Sequence, residues 1–216
     1  MECKKTELVF LLDRSGSMAG MEQDTIGGFN SMIERQKKEE GECLVSLVLF
    51  DDSSEVLLDR VNVKDVQNIT EKEYYARGST ALVDAIGLAI HHIGLVHRYA
   101  RKEDVPDKTV FVITTDGMEN ASHIYTADDV KQKIKRQQEK YGWEFLFLGA
   151  NIDAVETARG YGIREANAVR FHNDSKGIRN NYEVIGEAVC RIRTFGSAGE
   201  EWARPIEEDY KNRESK

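Results

Sequence analysis

Several common features are missing from this sequence, and each absence excludes something. The 216 residues contain three cysteines, Cys3, Cys43 and Cys190. They are odd in number, widely spaced and form no C-x-x-C, so no disulfide framework is encoded. Cys43 opens an apolar run and Cys190 sits in a helical pattern. Both are expected to be buried thiols, consistent with a reducing compartment. No apolar stretch approaches the roughly 20 residues of a membrane span. The first apolar run, Leu8-Val9-Phe10-Leu11-Leu12, stops at Asp13 and lacks the long core and small-residue cleavage site of a secretion signal. A cytoplasmic location is therefore expected. Positive charge is in deficit. The net charge of −8 disfavours a nucleic-acid partner, because phosphate contacts require a basic surface. The basic run Lys131, Lys133, Lys135 and Arg136 lies among polar helical residues and reads as a solvated face. There is no G-x-x-x-x-G-K-[ST], and Gly16 with Gly20 does not make G-x-G-x-x-G. Internal repeats and low-complexity segments are absent, and nothing suggests a second domain.

What is present is an alternation of strand and helix signals. A strand at about 6–12 precedes a helix at about 21–39, with Ile26, Phe29 and Ile33 at helical spacing and Gly41 closing it. Cys43 to Phe50 and Glu55 to Val63 read as strands joined by the turn Asp51-Asp52-Ser53-Ser54, which is short enough to require an antiparallel pair. Thr70-Glu71-Lys72-Glu73 has capping-box form and predicts a short helix. A helix over about 80–99 carries the stripe Leu82, Ile86, Ala89, Ile93 and Val96. The strand Thr109 to Thr115 follows, then a second capping box at Thr126 with a helix bearing Val130, Ile134 and Tyr141. The strand Trp143 to Gly149, a short helix near 154–161 and the strand Ala168 to His172 come next. The last patterned helix, about 175–195, shows Ile178, Tyr182, Ile185, Val189 and Ile192. Residues 199–216 have no core periodicity and read as a polar C-terminal tail, with Trp202 as its one candidate anchor. The folded domain is thus expected over 1–198. This alternation predicts an α/β fold with a mainly parallel sheet covered on both faces and one antiparallel edge.

Three segments carry chemistry. Asp13-Arg14-Ser15-Gly16-Ser17 follows the first strand and delivers a carboxylate and two hydroxyls on one loop. Arg77-Gly78-Ser79-Thr80-Ala81-Leu82 is a turn opening a helix, and Thr80 adds a third hydroxyl. Val110-Phe111-Val112-Ile113-Thr114-Thr115-Asp116-Gly117 is a buried strand ending in a carboxylate. Hard oxygens of this kind suit Mg²⁺, which takes a few protein oxygens and keeps several waters.

This series of D-x-S-x-S, a G-S-T turn and T-D-G after an apolar strand resembles the metal-ion-dependent adhesion site (MIDAS) of von Willebrand factor A (vWA) domains, the integrin I-domain family. The resemblance spans roughly residues 5 to 196 and suggests a stand-alone bacterial type. It implies a three-layer, doubly wound six-stranded sheet of order 3-2-1-4-5-6 with strand 3 antiparallel. It also implies one ion, Mg²⁺ or Mn²⁺ or Ca²⁺ in its place, held by Asp13, Ser15, Ser17, Thr80 and Asp116. The partner implied is a protein presenting an Asp or Glu carboxylate. In such sheets ligands bind beyond the carboxyl ends of the strands where strand order reverses, here between strands one and four. Asp13 and Asp116 end those two strands.

Other readings stand beside this one. Asp13 and Asp116 also suit helix capping and turns, and Thr80 a simple N-cap. Asn120, Asn151 and Asp153 follow strands four and five, where turn chemistry is the first expectation and the rim of a site the second. Asp51 and Asp52 read as a solvated hairpin tip. His91 and His92 read as half-buried helix residues, and His97, His123 and His172 are scattered, with no zinc spacing. A Mg²⁺-dependent phosphotransferase of the haloacid-dehalogenase type would also begin with an Asp after its first strand. It needs a second acid where this chain has Ser15. A structural subunit with an empty site is the third possibility.

Overall fold

The computed structural model describes residues 5–150 and 152–214. Cys3 and Asn151 lie outside the described residues. The first strand, β1 (Lys5–Asp13), is buried from Thr6 onward. It is sandwiched within the sheet, paired in parallel with β2 (Glu42–Phe50) on one side and β4 (Lys108–Thr115) on the other. Side-chain alternation then splits its apolar residues between two cores. Leu8, Phe10 and Leu12 enter one, and Val9 and Leu11 the other. A strand buried on both faces needs the uninterrupted apolar run seen in the sequence.

The sheet has six strands in the order β3-β2-β1-β4-β5-β6, with β3 (Ser54–Asn62) antiparallel and β5 (Glu144–Ala150) and β6 (Ala168–Phe171) parallel. One face is covered by α1 (Glu22–Gln36) and α5 (Ser175–Phe195). The other is covered by α2 (Leu82–Tyr99), α3 (Ala127–Tyr141) and α4 (Ala154–Gly160). The stripe of α5 is buried as its spacing predicts, with Ile185, Val189 and Ile192 fully so. Thr126 makes its capping box with Asp129 at the start of α3, and Asp153 caps α4 by accepting from the Glu156 amide at 3.0 Å. Among the described residues no helix is long and apolar enough to cross a membrane.

Four expectations are corrected. Thr70 and Glu73 make the hydrogen bonds of a capping box, with the Thr70 amide donating to Glu73 Oε2 at 2.8 Å, but the chain forms one turn and no helix follows. The next residue, Tyr74, is fully buried and donates its hydroxyl to the Asp13 carbonyl at 2.5 Å, which draws the chain inward and ends the turn. Residues 204–214, lacking core periodicity, nevertheless form a helix, α6 (Arg204–Glu214). It is amphipathic only through Ile206 and is seated by Trp202 and Ala203 just before it. His91 and His92 are exposed, because the helix turns them away from its buried stripe. Cys190 is half-buried, within reach of Gln36 Nε2 at 3.2 Å, whereas Cys43 is buried as expected.

The anchor of α6 is Trp202, 4% exposed, whose indole donates to the Ala166 carbonyl at 2.9 Å. Replacing a buried Trp by Ala costs about 3–5 kcal/mol. Urea denaturation of Trp202→Ala should therefore show a loss of that order, while Glu208→Ala on the outer face of α6 should stay within about 0.5 kcal/mol of the parent.

Candidate functional site

Strand order reverses between β1 and β4. The chain leaving β1 goes to the α1 face and the chain leaving β4 goes to the α3 face, so a crevice opens between their carboxyl ends. Asp13 and Asp116 stand on its two sides. Asp13, Ser15, Thr80 and Asp116 are between 1% and 3% exposed, and Ser17 is exposed.

Hydrogen bonds join the side chains in sequence. Ser15 and Ser17 share a hydrogen bond between hydroxyls at 3.0 Å, and Ser17 donates to Asp116 Oδ1 at 2.6 Å. Asp13 accepts from the Ser15 amide at 2.7 Å and from Thr115 Oγ1 at 2.6 Å. Thr80 belongs to the same space. A Cβ placed on Gly117 would lie 3.0 Å from Thr80 Oγ1 and 3.4 Å from Ser17 Oγ, so a side chain after Asp116 would crowd that space. Thr80 is not the N-cap of α2, a position taken by Ala81. Its main chain is instead tied to Asn120, whose Oδ1 accepts from the Thr80 amide at 2.9 Å and whose amide donates to the Thr80 carbonyl at 3.1 Å. The five residues predicted from the sequence are thus brought to one place, with Asn120 bracing one of them.

The electrostatics follow from burial. Desolvation pushes the Asp13 carboxyl above its ordinary value against the hydrogen bonds from Thr115 and Ser15, and the nearby Asp116 charge adds to the rise. Asp116 is raised by desolvation against the Ser17 hydrogen bond. Two carboxylates held together in a largely buried crevice with neutral hydroxyls are an environment that a cation relieves.

A model of the von Willebrand factor type A domain matches residues 7–176. The chain belongs to this family. No curated protein matches it in sequence. Among solved structures, proximal thread matrix protein 1 from the mussel byssus superposes with a TM-score of 0.61 at 15% identity, covering 87% of this chain and 46% of that one. A structure of the same protein with a zinc-occupied MIDAS motif gives 0.59 at 14% identity, with 87% and 46% covered. A von Willebrand factor type A structure from Catenulispora acidiphila gives 0.56 at 13% identity, with 85% and 42% covered. The chain spans about half the length of these structures. At such identities the likeness speaks for the fold alone.

The donor set of this vWA domain fits a hard divalent ion. Its oxygens come from two carboxylates and three hydroxyls on three separate loops, and the missing Cβ of Gly117 leaves the space between them open. Among the described residues no cluster of three or more His, Cys, Asp or Glu side chains forms, and three of the five donors here are hydroxyls.

Beneath the site lies a feature that sequence reasoning misplaced. Asp51, expected at a solvated hairpin tip, is fully buried, while Asp52 is exposed. One oxygen of Asp51 accepts from Arg14 Nε at 2.8 Å and from Arg77 Nε at 2.7 Å. The other accepts from the Ser53 amide at 2.9 Å. Arg14, the x between Asp13 and Ser15, is itself 1% exposed and also reaches Glu55 at 2.8 Å. The main chain closes the same knot. The Arg77 amide donates to the Arg14 carbonyl at 2.8 Å, the Gly16 amide to Gly78 at 3.1 Å, and the Ala81 amide to Asp51 at 2.7 Å. Gly78 is required there, with φ at +68° and no room for a side chain beside Asp52. The loop with Ser15 and Ser17 is thereby locked to the loop with Thr80. A charged residue directly after an otherwise apolar strand was the one available signal for Arg14.

Burial pushes the Asp51 carboxyl up, but hydrogen bonds from Arg77, the Ser53 amide and Arg14 outweigh it and hold its pKa below the ordinary 3.8. A carboxyl lowered on folding contributes stability that is fully present above its unfolded pKa and is lost as pH falls through the folded value. Asp51→Asn should therefore cost up to about 3 kcal/mol near neutrality, since it removes the carboxylate that Arg14 and Arg77 share and leaves the buried Arg14 with only the exposed Glu55 as a charge partner. The gap to the parent should narrow only below about pH 4, as read by denaturant unfolding at a series of pH values.

Proposed function

We propose that this vWA domain is a metal-dependent module that binds a protein partner through an Asp or Glu carboxylate. The observation that carries the reading is the meeting of Asp13, Ser15, Ser17, Thr80 and Asp116 around one space at the switch point of the sheet, with Gly117 keeping it clear. In this reading the five residues hold a divalent ion, Mg²⁺ or Mn²⁺ or Ca²⁺ in its place. Bound there, the ion supplies a positive centre with room for a carboxylate from outside.

The chain's own residues set up the rest. Among the described residues two carboxylates face the space, enough to balance a divalent charge when ionised, and the neutral hydroxyls beside them add no further negative charge. Thr115 and Ser15 orient Asp13, and Ser17 orients Asp116. The Arg14–Asp51–Arg77 knot fixes the loops before any ligand arrives, which lowers the ordering cost of binding. Nothing in this arrangement calls for a nucleophile or a general base. The structure of a mussel byssus protein with a zinc-occupied MIDAS motif supports a metal site of this kind in the fold.

The test is direct. At roughly 100 times its dissociation constant an ion adds about 2.7 kcal/mol to stability, equivalent to about 5–10 °C in melting temperature for a chain of this size. Mg²⁺ should therefore raise the melting temperature of the parent over chelated protein, but not that of Asp13→Ala or Thr80→Ala. Both variants should keep the parental circular dichroism spectrum. Partner capture from native lysate should require Mg²⁺ and fail with either variant. Equal metal response in all three proteins would sink the reading.

A further inference from the structure

The connection between β6 and α5 has a long way to travel. β6 ends the sheet, two places beyond β4, whereas α5 packs on α1 across the face of the central strands. Residues 172–174 therefore cross the carboxyl ends of the strands, and Asn173 comes down on the site. Its Nδ2 donates to Asp116 Oδ2 at 2.7 Å. Both neighbours are anchored. The His172 ring stacks on Tyr210 of α6 with centroids 4.3 Å apart. Asp174 caps α5 by accepting from the Gly177 amide at 2.8 Å and pairs with Arg213 of α6. Asn173 is therefore held in place from both sides. Its Oδ1, however, is buried and has no hydrogen-bond partner among the described residues. A buried amide oxygen without a partner is uncommon and points to something that completes it.

With Asn173 included, each of the four carboxylate oxygens has a neutral donor. Asp13 Oδ1 accepts from the Ser15 amide and Oδ2 from Thr115. Asp116 Oδ1 accepts from Ser17 and Oδ2 from Asn173. A carboxylate tethered at both oxygens can lend one of them to an ion. Each oxygen keeps a second acceptor direction, but donors on both oxygens hold the carboxylate at one tilt, and swinging it to face one ion with both oxygens strains the tethers. Calcium takes about six to eight oxygens and uses carboxylates in the two-oxygen mode, whereas magnesium is smaller, demands octahedral geometry and keeps several waters.

We infer that Asn173 belongs to the site and sets its metal preference. By tethering Asp116 Oδ2 it limits that carboxylate to one-oxygen contact and so favours Mg²⁺ over Ca²⁺. Its open Oδ1 is an acceptor for the water such an ion retains. This rests on the metal-site reading above. Asn173 is a positioning residue, and it acts through Asp116.

The experiment is calorimetric titration of the full chain with Mg²⁺ alone and with Ca²⁺ alone, for the parent, Asn173→Ala and Asp13→Ala. Loss of an outer hydrogen-bond partner typically weakens metal binding by roughly tenfold or more. Asn173→Ala should lose about that factor for Mg²⁺ and hold or gain affinity for Ca²⁺. An unchanged ratio of the two affinities overturns the inference. Should Asn173→Ala not fold, the parent answers alone through the nuclear magnetic resonance signals of the Asn173 amide group. These should exchange slowly with solvent in the Mg²⁺ form and lose protection in the Ca²⁺ form, and equal protection in both overturns the inference. If Asp13→Ala binds both ions like the parent, the metal-site reading itself fails. If Asp13→Ala abolishes binding while Asn173→Ala keeps the parental ratio, only the role of Asn173 falls.

Discussion

The pairing of β1 with β4 runs parallel and in register from Thr6↔Lys108 to Leu12↔Thr114. Because both strands point the same way, Asp13 and Asp116 emerge at the same edge of the sheet, one step of the register apart. Because their continuations turn to opposite faces, no backbone fills the gap between them. A hairpin in this position would have closed the gap with its own turn. Topology alone thus brings two acids, some hundred residues apart in sequence, into one crevice. The local loops then have only to fill in neutral oxygens around them.

Burying two acids side by side is costly, and the structure offsets the cost with donors that carry no net charge. Thr115, Ser15, Ser17 and Asn173 each contribute a single hydrogen bond, while the positive charges of Arg14 and Arg77 are kept one layer below, on Asp51. That separation matters. A guanidinium directly on Asp13 or Asp116 would neutralise the crevice and leave a cation little to gain. Committing both arginines to Asp51 steadies the loops without occupying the site.

Much of this was legible in the chain. Runs such as Leu8–Leu12 and Val110–Ile113 are apolar without alternation, because each strand is buried on both sides, and this marks a parallel sheet. The five oxygen-bearing residues stand where strands end or helices begin, so their meeting could be read before any coordinates. The misses share one cause, which is that local signals carry no information on what a distant segment will cover. The Thr70 capping box is real, but the pull of Tyr74 into the core stops the helix it announces. Asp51 sits in a turn sequence that is normally solvated, and only the arrival of Arg14 and Arg77 buries it. Asn173 has no signal at all. Its place depends on which face α5 packs, and nothing near residue 173 encodes that. Residues 204–214 pack through Ile206 with help from Trp202 outside the helix, too little for a periodic pattern.

That C-terminal helix also bears on how the molecule behaves in company. A sheet of this kind ends in two rows of unpaired backbone groups, and either can template pairing with another chain. α6 lies against β6, with Tyr210 beneath both His172 and Arg170 and the Trp202 indole on the Ala166 carbonyl. The opposite border, β3, carries Glu55, Asp59 and Arg60, and its register with β2 is broken between Val45 and Val48. One border is thus roofed and the other is charged and irregular. The last helix thus stands beside the β6 border, where its bulk hinders another strand from pairing, while Tyr210 and Arg213 of the same helix hold the residues on either side of Asn173.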